Sequence, residues 1–251
     1  MNRILALVLG SCLIVASLAQ AADHPLPPGL IALTDRRGQA LLLKAEGRRS
    51  FIPLLSNFVS QDTDTFCGAA SSVIVLNALG LPAPVDPGHP PYRYFTQSNL
   101  FSSRTEAVVA RGSVERCGMT LDRLAALLRT HGAATRVVHA DESSVSAFRE
   151  GMRLALSRDS TFIVLNFTGI PLGLTESGGH FSPIGAYDAK GDRILVLDVA
   201  RFIYPPYWVK TAELFAAMNT PDSDNANRVR GYVVVTRPAT STPNGNAAGA
   251  R

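Results

Sequence analysis

Cysteine is scarce in this chain, and the common metal-binding spacings are missing. Three of the 251 residues are cysteines, too few for the disulfide framework that stabilises small secreted domains. The sequence contains no C-x-x-C pair and no H-x-x-x-H pair, so it lacks ligand spacings typical of zinc sites. We therefore expect a chain that folds through an ordinary hydrophobic core and binds no metal ion or other cofactor of its own.

An excess of one charge is also lacking. The net charge is only +4, and Lys and Arg form no cluster along the chain. A nucleic-acid-binding domain usually concentrates basic residues on one face or in one stripe. We expect no nucleic-acid partner, whereas a small anionic substrate is compatible with this composition.

Long apolar runs are absent except at the N-terminus. Residues 4–19 form an apolar run behind Arg3, and an A-x-A site follows at residues 19–21. This pattern is typical of a secretory signal peptide cut before Ala22. The run is short for a transmembrane helix, so we expect no membrane span. A weaker alternative uses "LGSC" as a lipidation site at Cys12.

The remaining chain predicts one domain. We expect a signal peptide at 1–21, one folded domain at 22–237 and a polar, disordered tail at 238–251. The signal peptide predicts secretion, to the periplasm. Only Cys67 and Cys117 remain after cleavage. They could form a disulfide that acts as a redox switch, or Cys117 could be a free, semi-buried thiol.

Helical patterns dominate the first half and strand patterns the second half. Candidate helices cover 67–79 with Gly80 as stop, 120–132 with Thr120 and Gly132 as caps, 143–158, and a short segment capped by Thr211. Candidate strands cover 161–167, 180–188, 193–201 and 230–237, and "DAKGD" predicts a hairpin between the second and third. Helices followed by an antiparallel sheet indicate an α+β fold.

Three residues form a candidate catalytic set. Cys67 lies where a helix should begin, and the free N–H groups and dipole there favour a thiolate. His180 opens a strand after "SGG", and Asp198 lies within the next apolar strand, where burial requires a partner. Each residue alone has a structural alternative, but the hairpin can bring the Asp beside the His, where it would orient the imidazole.

The order of these residues resembles that of papain-like cysteine enzymes, with the nucleophile on an early helix and the His and Asp on a late antiparallel sheet. Gln61, six positions before Cys67, corresponds to the oxyanion donor of that clan. The stretches "TFCGAAS", "GGHFSPIGAYD", "ILVLDVARFIYPPYWVK" and "RGYVVV" are similar to those of the phytochelatin synthase family, in a short bacterial-type form.

The resemblance implies an activity and a substrate. It implies that Cys67 attacks the Cys–Gly amide of glutathione, releases glycine and forms a γ-Glu-Cys acyl-enzyme, with His180 as base and acid and Asp198 as orienter. It also implies substrate contacts at Asn166, Gly179, Arg201, Asp222 and Arg230. Cadmium or zinc would enter only as glutathione thiolates, and a homodimer is a possible assembly.

Departures from the family pattern bear on the second half-reaction. The segment "TGIPLG" and Ile203 stand where basic residues are common in the family, and no Cys-rich C-terminal region follows. We therefore expect hydrolysis to γ-Glu-Cys as the main activity. The alternatives are transfer to a second glutathione to make phytochelatins, a periplasmic thiol- or metal-binding module without turnover, and a peptidase acting on ordinary peptides.

Overall fold

The computed structural model describes residues 25–175 and 178–238. The predicted signal peptide, with Cys12, lies outside the described residues, and so does the tail from residue 239 onward. The predicted domain boundaries at 21/22 and 237/238 therefore stay predictions. In the part of the chain that is described, no helix is long and apolar enough to cross a membrane.

The described chain contains eight α-helices and nine strands. The helices are α1 Arg36–Lys44, α2 Phe51–Ser56, α3 Cys67–Leu79, α4 Ser103–Glu106, α5 Arg111–Cys117, α6 Leu121–Thr130, α7 Val145–Ala155 and α8 Thr211–Met218. The strands are β1 Ile31–Ala32, β2 Ala134–His139, β3 Thr161–Thr168, β4 Gly179–Asp188, β5 Arg193–Val196, β6 Tyr207–Lys210, β7 Pro221–Asp222, β8 Arg228–Val229 and β9 Gly231–Thr236. Short 3₁₀ turns follow β2, β3 and β7.

Seven strands form one antiparallel sheet in the order β1-β6-β5-β4-β3-β9-β2, and β7 pairs with β8 apart from it. Every pairing is antiparallel. Strand β3 lies inside the sheet and is buried along its whole length. Its alternate residues face opposite ways, so Phe162 and Val164 join one core cluster while Ile163 and Leu165 join another.

Helices cover both faces of the sheet. Helix α3 packs against β4 and α6 on one face, and α7 and α8 pack against β3 on the other. Eleven of the thirteen residues of α3 are buried, which explains why its sequence is apolar on all sides rather than on one stripe. The buried position of α3 holds its first residue, Cys67, at a fixed point beside the sheet.

The predicted α+β class is confirmed, and so is the predicted helix 67–79. Gly80 ends it with φ at 61°, the left-handed conformation that glycine adopts without steric penalty. The Thr120 side chain caps α6 by accepting the N–H of Arg123. The short helices α1, α2, α4 and α5 lacked a long enough periodic pattern to be predicted.

Three details of the prediction were wrong. The strand expected over 193–201 ends at Val196, so Asp198 lies beyond the strand, not within it. The residue that caps α8 is Lys210, and Thr211 is the first helical residue; the Thr211 hydroxyl instead donates to the Asp192 carbonyl at 3.1 Å. Helix α6 ends at Thr130 with His131 as its cap, one residue before Gly132.

Candidate active site

Cys67 is the first residue of α3 and is buried, with a relative exposure of 6 %. The first N–H groups of a helix have no intrahelical acceptor, and the helix dipole is positive there. Both effects stabilise a thiolate at this position. The next residue, Gly68, packs so closely on Met119 that an added Cβ would lie 2.9 Å from the Met side chain. A side chain at this position would have to displace Met119, which lines the cavity at Cys67.

His180 lies near the start of β4 and contacts Asp198. The His180 Nε2 atom is 2.9 Å from the Asp198 Oδ1 atom, and both side chains are buried. The register of β4 on β5 shifts between Ile184 and Ala186. Beyond the end of β5, the Leu197 N–H still donates to the Pro183 carbonyl at 2.9 Å. This continued pairing brings the Asp198 carboxylate to the His ring although Asp198 is outside the strand.

Ser182 also contacts the Nε2 atom of His180. Its Oγ atom is 3.1 Å from His180 Nε2 and accepts the Val199 N–H at 3.3 Å. Asp198 Oδ1 also accepts the Ala200 N–H at 2.9 Å. These contacts hold Nε2 away from the thiol, so that Nδ1 is the ring nitrogen left for Cys67. Ser182 was missed in the sequence, although its position two residues after His180 on one strand places it on the same face.

The electrostatics of the site favour a charged imidazole. Burial alone lowers the pKa of His180, but the charge and hydrogen bond of Asp198, followed by the hydrogen bond and charge of Cys67, outweigh it and raise that pKa well above its usual value. Phe167 meets the ring edge-on at a centroid distance of 5.5 Å and shields it from water. The structure therefore brings the three predicted residues together, with the His180 imidazole between the Cys67 thiol and the Asp198 carboxylate.

One cavity opens at Cys67. This thiol cavity has a volume of about 280 Å³ and is lined by Asp64, Thr65, Cys67, Arg116, Cys117, Gly118, Met119, Asn166, Gly178, Gly179, Phe181, Asp222 and Asp224. It contains three of the predicted substrate contacts, Asn166, Gly179 and Asp222. Buried Asn166 Oδ1 has no hydrogen-bond partner in the described structure. A buried polar atom without a protein partner is available to a ligand or to water in the cavity.

Arg230 lies behind the wall of the thiol cavity. Its Nη1 donates to the hydroxyl of Thr220 at 3.2 Å and to the carbonyl of Pro221, and its Nη2 is 3.6 Å from Asp222 Oδ1. Its Nε is buried without a partner. An added Cβ on Gly179 would lie 3.2 Å from this Nε, so the glycine is what keeps the guanidinium close to the cavity.

A second cavity is lined by His180 itself and shares Asp64, Gly178 and Gly179 with the thiol cavity. This imidazole cavity has a volume of about 380 Å³ and is lined by Gln61, Asp64, Thr175, Gly178, Gly179, His180, Ala200 and Ile203. Gln61 Nε2 donates to the Thr63 carbonyl at 3.0 Å, and Gln61 Oε1 is buried without a partner. Gln61 is also tied to the loop after β5, since its N–H donates to the Val199 carbonyl at 3.0 Å.

Arg201 does not join the other predicted substrate contacts. It is exposed, and its guanidinium lies over the Phe58 ring at 6.0 Å from the centroid. It lines neither the thiol cavity nor the imidazole cavity. Conversely, Asp64, Arg116 and Asp224 line the thiol cavity and were missed, because nothing in the local pattern of a loop residue shows which cavity it faces.

The two described cysteines are free thiols, and both line the thiol cavity. Cys117 is exposed at the end of α5, whereas a semi-buried thiol was expected. Within residues 25–175 and 178–238 no cluster of three or more His, Cys, Asp or Glu side chains is arranged to hold a metal ion. Larger cavities of about 810 and 800 Å³ exist elsewhere, but neither contains Cys67, His180 or Asp198.

Comparison with known proteins gives a consistent result. A family model described as phytochelatin synthase matches residues 21–232. The chain is 34% identical over 220 residues to glutathione gamma-glutamylcysteinyltransferase 1 of Lotus japonicus, covering 85% of this chain and 42% of the relative. It is 35% identical over 219 residues to the enzyme of the same name from Triticum aestivum, covering 85% and 41%.

A more distant relative is glutathione gamma-glutamylcysteinyltransferase of Schizosaccharomyces pombe. It is 30% identical over 216 residues, which cover 84% of this chain and 50% of the relative. The chain thus spans half or less of the length of these curated relatives, in a match that includes Cys67, His180 and Asp198 within the range of the family model.

Proposed function

The chain belongs to the phytochelatin synthase family, and from this premise we propose that it is a papain-like cysteine enzyme acting on glutathione. It cleaves the Cys–Gly amide through a γ-Glu-Cys acyl-enzyme and then mainly hydrolyses that intermediate. The observation that carries the proposal is the His180 ring, which interacts with Asp198 at 2.9 Å and with the Cys67 thiol. This is the arrangement that nucleophilic catalysis by cysteine requires.

The first half-reaction begins with proton transfer from the Cys67 thiol to His180. The thiolate attacks the carbonyl carbon of the Cys–Gly amide, and the carbonyl π electrons move onto oxygen. When the tetrahedral intermediate collapses, the C–N bond breaks and the imidazolium gives its proton to the departing glycine amine. Asp198 stabilises the imidazolium and holds its Nε2–H, so Nδ1 stays directed at the sulfur.

The oxyanion is stabilised by donors near the start of α3. The backbone N–H of Cys67 is free of intrahelical bonds, and the Gln61 amide lies in the imidazole cavity on the same side as His180. One Gln61 N–H is held by the Thr63 carbonyl, which leaves the second for the oxyanion. Loss of one such donor typically lowers kcat by about 10² to 10³.

The γ-Glu-Cys portion of the substrate occupies the thiol cavity. Asp222, which lines this cavity, accepts the ammonium group of the γ-Glu residue. Arg230 lies behind Gly179, outside the cavity lining, and its charge attracts the α-carboxylate without direct contact. Asn166 supplies an amide oxygen that has no protein partner. Arg230 and Asp222 are both buried and lie 3.6 Å apart, so they recognise an amino-acid head group with adjacent charges of both signs.

Water is the main acceptor because the imidazole cavity does not hold a second glutathione well. None of the described residues that line it is Lys or Arg, and Arg201 lies outside it over Phe58. A second glutathione carries two carboxylates that would remain unpaired there. Water needs only the neutral His180 as base, and sulfur then leaves as the thiolate with release of γ-Glu-Cys.

The other expectations complete the proposal. The enzyme holds no cofactor, and cadmium or zinc takes part only as the glutathione thiolate. The signal peptide directs the chain out of the cytoplasm to the periplasm. A homodimer is compatible with this activity, since all residues assigned to the site belong to one chain.

A product assay tests this proposal. The mature chain is incubated with glutathione, with and without Cd²⁺, and products are identified by mass spectrometry. We expect glycine and γ-Glu-Cys in equal amounts and little phytochelatin. Cys67→Ser should release neither, and Cys117→Ser, which removes the other thiol of the cavity, should retain turnover. Phytochelatins as the main product would refute the hydrolytic assignment.

The two remaining alternatives give different results in the same experiment. A binding module would form at most one acyl group per chain and then stall, which intact-protein mass spectrometry would detect. A general peptidase would cleave the α-linked isomer of glutathione as well as the γ-linked one. We expect repeated turnover, and on the γ-linked substrate only.

A further inference from the structure

Asp64 is a charged residue that the two cavities of the site share. It lines both the thiol cavity and the imidazole cavity, and it precedes Cys67 by three residues. The side chain is exposed, and no ion pair within 4.0 Å joins it to a described basic side chain. The negative charge of this carboxylate therefore acts on groups in both cavities.

The two cavities differ in how they balance this charge. The thiol cavity is lined by Arg116 as well as by Asp64, Asp222 and Asp224, and buried Arg230 lies behind its wall, 3.6 Å from Asp222. The imidazole cavity has Asp64 as the one acidic residue and His180 as the one basic residue among the described residues that line it. During deacylation His180 must be neutral to act as a base. At that moment Asp64 is the only charged residue among the described side chains of this cavity.

An acceptor amine must enter through the imidazole cavity. The glycine amine leaves from the His180 side of the acyl group, and by microscopic reversibility an attacking amine approaches along the same path. An amino acid or glutathione brings a carboxylate next to its attacking amine. That carboxylate meets the field of Asp64 without a compensating cation.

We propose that Asp64 selects the group that receives γ-Glu-Cys, disfavouring amines that carry a carboxylate and favouring uncharged amines and water. This inference rests on the proposed function and names the acceptor class of the same site. In the transfer step the amine nitrogen forms a bond to the thioester carbonyl carbon. Its proton moves to neutral His180, the C–S bond breaks, and sulfur leaves as the thiolate paired with the imidazolium.

The test compares two acceptors of nearly equal size. Glutathione serves as donor, and either glycinamide or ¹³C-labelled glycine is added at the same concentration of unprotonated amine. Mass spectrometry measures the ratio of transfer product to γ-Glu-Cys. Both products form from the same acyl-enzyme, so their ratio does not depend on the total rate of turnover. We expect glycinamide to be favoured by roughly fivefold, the effect of one solvent-exposed charge at a distance of about 4 Å in water.

Two variants distinguish the effect of the Asp64 charge from that of the loop in which Asp64 lies. Asp64→Asn removes the charge and keeps the shape, and we expect it to reduce the preference to within about twofold and to raise phytochelatin formation. Asp62→Asn is the matched control, because Asp62 is exposed, contacts Gln97 at 2.9 Å and lines neither cavity. It should keep the wild-type ratio. Added salt should narrow the wild-type preference by screening.

The outcomes distinguish this inference from the proposed function. Glycine release with an acceptor ratio that does not change in Asp64→Asn overturns the role of Asp64 and leaves the hydrolase intact. An equal change of the acceptor ratio in Asp62→Asn also overturns the role of Asp64, because any charge in this loop would then have the same effect. Absence of glycine release from the wild-type chain overturns both statements.

Discussion

Replacing Asp198 by Asn removes one negative charge from the site while keeping its shape. Asp198 Oδ1 accepts both the His180 Nε2–H and the Ala200 N–H, each at 2.9 Å. An Asn oxygen in the same place can accept both bonds, so the tautomer of His180 is retained. The substitution therefore isolates the charge of Asp198 from its hydrogen-bonding geometry.

The expected loss of activity follows from the type of hydrogen bond that remains between residue 198 and His180. A hydrogen bond to a charged group contributes about 1.5–3 kcal/mol, against about 0.5–1.5 kcal/mol for a neutral one. The imidazolium form of His180 therefore loses about 1–2 kcal/mol of stabilisation in the variant. This loss corresponds to roughly a five- to thirtyfold decrease in kcat/KM. Because burial lowers the pKa of His180 and Asp198 is the largest influence that raises it, the variant should also have a lower His180 pKa.

The pH dependence gives the sign of the effect. The thiolate–imidazolium pair is lost when His180 deprotonates, so the alkaline limb of the kcat/KM profile should move to lower pH in Asp198→Asn. A His with a raised folded pKa stabilises the fold fully below its unfolded pKa of about 6.5 and loses this contribution as pH rises through the folded value. The variant should therefore lose more stability at pH 6 than at alkaline pH.

The assay is glycine release from glutathione over a pH series, together with thermal unfolding at both ends of that series. Asp86→Asn is a matched control, since Asp86 also contacts a His, with 2.8 Å between its Oδ2 and His89 Nδ1, but in an exposed loop. That control should leave the alkaline limb in place. Unchanged kcat/KM and an unchanged alkaline limb in Asp198→Asn would refute the assigned role of Asp198.

Three further predictions concern close contacts. Gly179→Ala places a Cβ 3.2 Å from Arg230 Nε and should raise KM for glutathione about fivefold, because a displaced guanidinium weakens substrate binding by about 1 kcal/mol. Gly88→Ala, in ordinary contact with Asp86 and outside both cavities, should change KM less than twofold. Gly38→Ala places a Cβ 2.0 Å from the Ala32 carbonyl oxygen and should lower the free energy of unfolding by more than about 2 kcal/mol in urea, whereas Gly112→Ala, on α5 in ordinary contact, should be neutral or stabilising by up to about 1 kcal/mol. Ser182→Ala removes an acceptor of the Val199 N–H and a neighbour of His180 Nε2, and should lower kcat severalfold while KM stays the same; a change in KM alone would contradict a role in orienting the ring.

Local chemistry was sufficient to predict some elements from the sequence. The helix 67–79 was predicted because its apolar residues, its small first turn and the stop at Gly80 all act within the segment. The same holds for the Thr120 cap of α6 and for most of strands β3, β4 and β9. Cys67 could be placed at a helix start because a nucleophile in that position has an electrostatic reason to be there.

Position across the fold could not be read from the sequence. Strand β5 ends at Val196 instead of continuing through Asp198. Its register on β4 shifts between Ile184 and Ala186, and one further hydrogen bond, from Leu197 to Pro183, positions Asp198 beyond the strand. Arg201 belonged to a motif-rich segment, yet it lies over Phe58 and outside both cavities. Nothing within a few residues of either position reports the sheet register.

The sequence by itself therefore determined the α+β class, the helix that carries Cys67, and the pairing of His180 with Asp198, since these depend on periodicity, turns and spacing along the chain. Only the tertiary structure decided that Ser182 shares the His180 nitrogen and that Arg230 stands behind Gly179. It alone decided that Asp64 faces two cavities. The physical reason is that a cavity is formed by loops from distant segments, and packing among those segments, not local pattern, sets where each side chain lies.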